Sequence, residues 1–344
     1  MHQNKKKQGK LIPGGNTETT MRTLADAAGV DVSTVSRALR NDPKISDEQK
    51  QRILSIAKES NYKKRKSTAS QIAYFIDKRF FLLTSPFYNR VIEGIESESK
   101  RNGYSFQFNS LEPTSFSLEG VSLTGIAGMI ITSCYHDEFI SELKRFNVPM
   151  VLIDYYIPTE RISSVLVDNV DGIYTAVCHL ASFGHRRIAY MKGNVSDIGV
   201  RDRLAGFQRA VEALALDGDP GLVIGSDFGI SNGYAAMKDF LASVSRPPTA
   251  VMCANDMLAI GAMEALKERG LAIPRDVSVM GFDDIDLATE VIPNLSTMHI
   301  PKQAMGRLAV QRLMEVIRGD QIDFDKIVVT PRLIVRSSTG AAPK

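Results

Sequence analysis

The sequence contains no tryptophan and only three cysteines among 344 residues. The cysteines, Cys134, Cys178 and Cys253, are scattered, odd in number and set in apolar contexts. This usage predicts reduced thiols in a cytosol rather than disulfides or a metal site. The chain also lacks an apolar run long enough to span a bilayer, and an apolar signal segment near its N-terminus. We therefore expect a cytoplasmic protein.

Signatures of catalysis are missing as well. Neither a glycine-rich phosphate loop nor a serine nucleophile elbow occurs, and the five histidines lack metal-ligand spacing. The adjacent acids Asp283 and Asp284 could in principle carry out acid–base chemistry, but such a pair is more commonly a cap and a solvent-facing partner. We expect no enzymatic activity, no cofactor and no metal.

Charge is distributed unevenly along the chain. Residues 1–66 carry 15 lysines and arginines against seven acids, a net charge of +8, whereas the whole chain carries only +3. A basic head on a mildly acidic body predicts a polyanion as partner of the head alone. Lys5–Lys7 fit a solvated tail. The run formed by Lys63, Lys64, Arg65 and Lys66, directly after the head, is expected to meet phosphates.

The segment Thr20–Leu39, TMRTLADAAGVDVSTVSRAL, has the pattern of a helix-turn-helix. Thr20 can cap a first amphipathic helix, and Gly29 supplies the positive φ of a sharp turn. Asp31 can cap a second helix, whose open face carries Val32, Ser33, Ser36 and Arg37. This face suits a DNA major groove, because arginine matches the acceptors of guanine and hydroxyls reach phosphates or base edges. The alternative is a helical hairpin within a larger core.

A third amphipathic segment runs from Ser46 to about Ser60. Ser46 and Gln49 form a capping box. The residues spaced to close over the first two helices are Ile53, Leu54, Ile56 and Ala57. The three helices make a small headpiece, which we expect to be only marginally stable alone.

From Gln71 onward, nine short apolar runs alternate with amphipathic helical stretches. Strands rich in Val, Ile and Met, separated by helices, predict parallel sheets covered on both sides. Nine strands exceed one comfortable sheet, so we predict two α/β lobes with a break near Pro158–Ile162. A final helix at 302–318 and strands near 327–335 are expected to cross back between the lobes.

Polar residues follow these strands at their carboxyl ends, where open parallel sheets bind ligands. They are Asp154, Asp168, Asn169, Asn255, Asp256, Asp283 and Asp284, with Arg201 and Arg203 after a later strand. Carboxylates, an amide and an arginine together satisfy the donors and acceptors of a polyhydroxylated ligand. Local explanations compete, since Asn255, Asp256 and Asp168 are good helix caps and one arginine can form a surface ion pair. Arg201, Asn255 and Asp283 are the favoured ligand contacts.

Several segments resemble the LacI/GalR family of ligand-responsive transcriptional regulators. They are Thr20–Leu39, the Asn61-Tyr62 pair, FGHRRIAYMKG, RDRLAGFQRA, ANDMLAIGAMEALKERGLAIPRDVSVMGFDDID and LSTMHIPKQAMGRLAVQRLM, which together span about residues 20–337. The resemblance implies a helix-turn-helix head on a body shaped like a periplasmic sugar-binding protein. It also implies a homodimer that acts on near-palindromic operators.

The resemblance assigns roles to individual residues. On the second helix, Val32 and Ser33 match positions that read bases. Arg37 matches an arginine that contacts a base or a phosphate, and Thr34 and Ser36 match positions that contact phosphates. We group Thr20 and the run Lys63–Lys66 with this DNA-binding set. In the body, Asp154, Arg201, Asn255 and Asp283 match positions that often hold the effector.

Two segments depart from the family pattern. Tyr62 is followed by KKRKSTAS, where the family has Pro-Asn and a hinge helix whose leucine enters the minor groove. Operator bending by side-chain insertion is therefore not expected, and the basic run is expected to hold phosphates instead. Residues Asn109–Leu123 are too short and too polar for the helix that the family places there, which predicts a variant first lobe.

Together these observations predict an α/β protein with an all-α headpiece and a two-lobed, periplasmic-binding-protein-like body of parallel sheets. The predicted parts are a disordered tail (1–19), a helix-turn-helix domain (20–62), a basic shortened hinge (63–71), an effector-binding and dimerisation domain (72–337) and a tail (338–344). The predicted function is a repressor controlled by a small metabolite, with a sugar favoured and a nucleobase as alternative. The competing interpretation is a cytosolic sugar-binding or sugar-processing protein whose head mediates protein contacts.

Overall fold

The computed structural model describes residues 21–39, 45–60, 62, 70–78, 86–112, 118, 121–132, 137–193, 198–319 and 324–344. The chain divides into two compact units, a head within Met1–Thr68 and a body within Ala69–Lys344. The predicted tail at 1–19, the N-cap Thr20 and the run Lys63–Lys66 lie outside the described residues. No helix among the described residues is long and apolar enough to cross a membrane.

Three helices form the head: α1 (Met21–Ala28), α2 (Val32–Leu39) and α3 (Asp47–Glu59). Gly29 has a φ of +66°, and the next residue's amide donates back to the carbonyl of Ala25 at 3.0 Å, which closes α1. Asp31 caps α2 by accepting a hydrogen bond from the amide of Thr34 at 2.8 Å. The structure therefore confirms the predicted turn, in which Gly29 ends α1 and Asp31 caps α2.

The core of the head consists of small and aliphatic side chains from all three helices. Its buried members include Leu24, Ala25, Ala28, Val35, Ala38, Ile53 and Ala57. The Ser46 hydroxyl accepts from the amide of Gln49 at 3.4 Å, as predicted. The predicted inward position of Leu54 is wrong: its side chain is 42% exposed, because each residue turns about 100° from the one before it around a helix axis and Ile53 occupies the inward direction.

The first lobe of the body is a six-stranded sheet flanked by helices. Its strands are β1 (Gln71–Asp77), β2 (Ser105–Leu111), β3 (Ile126–Thr132), β4 (Met150–Ile153), β5 (Ser163–Val167) and β11 (Lys326–Val329), in the spatial order β11-β5-β4-β3-β1-β2. Every neighbouring pair is parallel. The helices are α4 (Pro86–Arg101), α5 (Asp137–Lys144) and α10 (Lys302–Arg318). Residues 72–76 of β1 are completely buried, as expected for a central parallel strand.

Two glycines bring α4 and α10 into backbone contact. A Cβ atom added at Gly94 would lie 2.1 Å from the carbonyl oxygen of Gln303, and one at Gly306 would lie 2.2 Å from that of Val91. No side chain larger than hydrogen fits at either position without moving backbone. The two helices therefore behave as one rigid unit of the first lobe.

The second lobe is a four-stranded parallel sheet. Its strands are β6 (Ile188–Lys192), β7 (Val223–Gly225), β8 (Ala250–Cys253) and β9 (Ser278–Met280), in the order β7-β6-β8-β9. The helices are α6 (Asn169–Ser182), α7 (Ile198–Ala213), α8 (Ile230–Ser243) and α9 (Asp256–Glu268). Two short strands, β10 (Thr297–His299) and β12 (Arg332–Ile334), pair antiparallel and lead into and out of the first-lobe elements α10 and β11.

The predicted break near Pro158–Ile162 is in the wrong place. Strand β5 still pairs with β4, with Val151 opposite Ser163 and Ile153 opposite Val165, so the chain leaves the first lobe only after Val167. The polar segment at 158–162 is a connection within one sheet, because long-range strand pairing decides which lobe a segment joins.

Residues 338–344, assigned to a tail by the sequence, pack against the second lobe. Ser338 is completely buried and donates through its hydroxyl to the carbonyl of Val279 at 2.6 Å. The amide of Ala342 donates to the carbonyl of Phe183 at 2.9 Å. We refer to residues 338–342 as the C-terminal strap.

The departure at Asn109–Leu123 lies partly outside the described residues, but β2 shows its consequence for the sheet. Phe106 and Phe108 pack near Tyr74 on one face, with ring centroids 6.1 and 5.9 Å away. On the alternate face, Gln107 donates to the Asn109 side-chain oxygen at 3.1 Å, and Asn109 donates to the carbonyl of Tyr74 at 3.1 Å. These two residues give β2 a polar face.

His185 fastens the C-terminal strap to the second lobe. Its Nε2 lies 3.0 Å from the carbonyl oxygen of Gly340, and its Nδ1 lies 2.9 Å from the Thr249 hydroxyl. A carbonyl can only accept, so Nε2 carries the hydrogen and Nδ1 accepts from Thr249. Burial lowers the pKa of His185 below its usual 6.5, because the charged form is poorly solvated there.

The lowered pKa of His185 makes stability depend on pH. Because the folded protein binds this proton more weakly than the unfolded chain, the free energy of unfolding falls as the pH drops below 6.5. In His185→Gln, which keeps a donor but cannot be protonated, we expect a shallower decline, measured by urea unfolding at a series of pH values. Parallel pH profiles for the two proteins would contradict this role of His185.

Candidate functional site

The exposed side of α2 is the candidate DNA-reading surface. Val35 and Ala38 are buried, which turns Val32 (42% exposed) and Arg37 outward. Ser33 and Ser36 lie within α2. Thr34 has a capping role as well, since its hydroxyl donates to Asp31 at 3.1 Å.

In the first lobe, candidate ligand groups lie at the end of β4. Asp154 directly follows this strand and has a φ of +60°, in the left-handed region where aspartate is tolerated. Tyr88, in the first turn of α4, donates through its hydroxyl to the Asp154 carboxylate at 3.2 Å. We call Tyr88 and Asp154 the first-lobe wall.

In the second lobe, four residues from three segments converge on Arg203 of α7. Its Nε donates to the Asn169 side-chain oxygen at 2.8 Å, and one Nη donates to the carbonyl of Ala254 at 2.7 Å. The guanidinium lies 4.1 Å from the ring centroid of Phe282, and its other Nη lies 3.5 Å from the Asp283 carboxylate. We call Arg203, Asn169 and Asp283 the second-lobe wall.

The structure brings Arg203 to this cluster and not the favoured Arg201. Arg201 is exposed, because two residues along a helix correspond to a rotation of about 200°. Arg203 lies on the face of α7 that also carries the buried Gly206, Phe207 and Ala210. That three-and-four spacing was available in the sequence and would have selected Arg203.

Two of the polar candidates act as helix caps. The Asn255 side-chain oxygen accepts from the amide of Leu258 at 2.9 Å, and the Asp168 carboxylate accepts from the amide of Asp171 at 3.1 Å. Asn255 is half-buried at the end of β8, so it combines this cap with a place beside the carboxyl end of the sheet.

Asp283 and Asp284 form a strained turn after β9. Their φ angles are +115° and +56°, which L-residues rarely adopt. The Asp284 carboxylate accepts from Arg336 at 2.6 Å and lies 2.8 Å from His299 Nδ1. Burial tends to raise the pKa of Asp284, but the hydrogen bonds from Arg336 and His299 prevail and hold it below its usual value.

Asp256, the first residue of α9, is completely buried beneath this turn. It accepts from the Thr297 hydroxyl at 2.5 Å and from the amide of Ile285 at 2.9 Å. Burial, reinforced by the nearby carboxylate of Asp283, raises the pKa of Asp256 to about 8. These contacts support the turn from below, so Asp256 is a structural residue rather than a ligand contact.

The two walls combine the donors of Arg203 with the acceptors of Asp154 and Asp283. Such a set can bind several hydroxyl or amide groups of a small ligand at once. Sequence reasoning missed Tyr88, whose PFY motif at the start of α4 was the available signal. Among the described residues, no group of three His, Cys, Asp or Glu side chains could hold a metal ion.

A helix-turn-helix head and a two-lobed body with polar walls at its strand ends define a DNA-binding protein that responds to a small ligand. Residues 20–64 match the model of bacterial regulatory proteins of the lacI family, and residues 177–339 match a periplasmic binding protein-like domain. The HTH-type transcriptional repressor CytR of Escherichia coli strain K12 is 31% identical over 343 residues, covering 95% of this chain and 98% of that protein. The chain therefore belongs to the lacI family of bacterial regulatory proteins.

Two further comparisons agree. The ribose operon repressor of Haemophilus influenzae is 29% identical over 332 residues, which cover 93% of this chain and 98% of that protein. The cellobiose complex of the transcriptional regulator CelR superposes with a TM-score of 0.73 at 27% identity, covering 93% of this chain and 99% of that one. The predicted fold class is confirmed, as is the prediction of a DNA-binding regulator controlled by a small effector.

The contacts of Arg203 predict a large difference between two arginines of one helix. In Arg203→Met, Asp283 loses its buried cation and Asn169 its donor, so we expect a loss of about 3–5 kcal/mol in the free energy of unfolding. The matched control Arg201→Met removes an exposed arginine and should stay within about 0.5 kcal/mol of the wild type. Urea unfolding at neutral pH measures both, and equal losses would contradict the assigned role of Arg203.

Proposed function

We propose that this protein is a homodimeric repressor whose operator affinity is set by a small polar metabolite, with a sugar as the favoured effector. The observation that carries the proposal is the polar cluster around Arg203 at the carboxyl ends of the second-lobe strands. Arg203 supplies donors and Asp283 acceptors, which suits a ligand with several hydroxyl groups. The names of the ribose operon repressor and of the CelR–cellobiose complex support a sugar.

The proposed effector site consists of both walls. Tyr88 and Asp154 contribute from the first lobe, and Arg203, Asn169 and Asp283 from the second. We also propose that Asn255 contacts the effector, because it lies at the end of β8. Arg201, whose side chain is exposed, is proposed to contact the effector at the rim of the site. Ligand binding between the lobes would reorient them and change the spacing of the two heads in the dimer.

For DNA binding, we propose that α2 enters the major groove of a near-palindromic operator. Val32 and Ser33 would read bases, Arg37 a base or a phosphate, and Thr34 and Ser36 phosphates. Thr20 and the run Lys63–Lys66 stay predictions of backbone contact. The protein would act by binding rather than by catalysis, in the cytoplasm, as its relatives named as repressors suggest.

A nucleobase-type effector is the second candidate. It is favoured by two aromatic side chains near the strand ends. Tyr88 belongs to the first-lobe wall, and the ring of Phe228 packs against Gly193, where an added Cβ atom would lie 2.6 Å from the ring. Aromatic faces suit flat rings as well as sugars. Release of the protein from its operator by a sugar or by a nucleoside distinguishes these two ligand classes.

Selection of duplexes from a random pool by the purified full chain tests the regulatory function. At near-physiological salt, we expect enrichment of an inverted repeat, because two heads of a symmetric dimer read two equivalent half-sites. The selection is repeated with a panel of pentoses, hexoses, disaccharides and nucleosides. Release by a sugar supports the favoured effector and release by a nucleoside the second candidate, whereas no enrichment under any condition would contradict a sequence-specific regulator.

Arg37 is the residue of α2 whose loss should weaken specific binding most. We expect Arg37→Ala to cost about 1–3 kcal/mol of affinity for the selected duplex. The control Lys58→Ala removes the same charge from an exposed position on α3 and should change specific and non-specific binding alike. Fluorescence anisotropy at fixed salt measures both, and wild-type affinity in Arg37→Ala would show that the recognition surface is assigned wrongly.

A further inference from the structure

Lys302 lies at the joint between the two lobes. It is the first residue of α10, a first-lobe helix, yet its side chain reaches into the second lobe and only 7% of the residue is exposed. Its ammonium donates to the carbonyl oxygen of Asp284 at 2.9 Å and also to that of Asp283. A buried cation of one lobe is thus held by the backbone of the other.

The two carbonyls belong to the strained turn at Asp283 and Asp284. The carboxylate of Asp283, the carboxylate of Asp284 and the two backbone carbonyls each have different partners. The carboxylate of Asp283 faces Arg203 in the second-lobe wall at 3.5 Å. The carboxylate of Asp284 is held by Arg336 and His299, and the carbonyls of both residues face Lys302. The φ of Asp283, +115°, is unfavourable for an L-residue, so these partners help to hold the turn in its shape.

On the other side of the joint, Lys302 is connected rigidly to the first-lobe wall. Helix α10 touches α4 backbone to backbone at Gly306 and Gly94, so the two helices move together. The first turn of α4 carries Tyr88, which donates to Asp154. Lys302 therefore connects the Asp283 turn to the first-lobe wall through contacts that leave little freedom.

We propose that Lys302 is a positioning residue that fixes the relative orientation of the lobes, and with it the spacing between the two walls. An ammonium group that serves two adjacent carbonyls constrains direction as well as distance. Rotation of one lobe against the other would take Lys302 away from at least one of these carbonyls. The consequence for effector binding rests on the proposed function, whereas the mechanical role does not.

An ion pair, Arg90 of α4 with Asp286 beyond the turn, also spans the joint at 2.7 Å. Its side chains are 41% and 73% exposed, so water screens the pair and it constrains the lobes weakly. We therefore assign the orientation to the buried contact of Lys302 and use Arg90→Met as a comparison.

The test measures the distance between the lobes in the full chain without DNA or ligand. Fluorophores are introduced as unnatural amino acids at two exposed positions, Glu142 on α5 and Asp239 on α8, and doubly labelled chains are diluted into excess unlabelled protein. Single-molecule energy transfer then gives the distribution of lobe distances. We expect Lys302→Met to shift or broaden it beyond the wild-type width, Lys302→Arg to restore it, and Arg90→Met to leave it nearly unchanged.

The matched control is Lys267→Met, since Lys267 also donates to a backbone carbonyl, that of Ile292, but within the second lobe. It should leave the distribution unchanged. If Lys302→Met does not fold, Lys302→Gln, whose amide can still donate, should give an intermediate distribution. A wild-type distribution in folded Lys302→Met, or in folded Lys302→Gln, overturns the proposal, and so does an equal change in Lys267→Met. Failure of duplex selection would instead contradict the proposed function.

Amide exchange adds a local measurement. Loss of charge-assisted hydrogen bonds to the turn should speed the exchange of residues 283–286 by about tenfold in Lys302→Met. Faster exchange with unchanged lobe distances would show a purely local structural role and also overturn the proposal.

Discussion

Buried charge at the end of β9 is the constraint on which both lobes depend. Carboxylates removed from water are stable only when cations or hydrogen-bond donors match them. Arg203 meets Asp283 at 3.5 Å, and Arg336 meets Asp284 at 2.6 Å. The partners come from a second-lobe helix and from the segment that returns from the first lobe. Satisfying these charges therefore holds α7, the turn at Asp283 and Asp284, and the returning segment in place together.

The sequence predicts the head well because its signals are local. Gly29 and Asp31 each act within one turn of their own position, and both behave as the pattern indicates. Alternation of strands and helices likewise predicts the parallel sheets. Membership of a lobe could not be predicted in the same way, because Val167 and its strand belong to the first lobe through pairing with residues elsewhere in the chain.

The candidate site is predictable in part. The positions of Asp154 and Asp283 beyond the carboxyl ends of strands could be predicted, since strand ends can be read from apolar runs. The choice between Arg201 and Arg203 depends on which side of α7 faces the core. The spacing of apolar residues in the sequence gives this side, but the residue types of the two arginines do not. Lys302 gives no signal in the sequence, because an ordinary lysine at a helix start becomes a joint residue only when another lobe supplies the carbonyls.

The C-terminal strap has a consequence for how the protein is made. Strand β11 completes the first sheet and residues 338–342 cover the second lobe, so both lobes require residues that follow almost everything they pack against. A ribosome synthesises these residues after nearly everything they pack against. The head can fold early in translation, whereas the body must wait until residues 326–342 have been synthesised. Completion of the ligand-binding body therefore comes well after synthesis of the head.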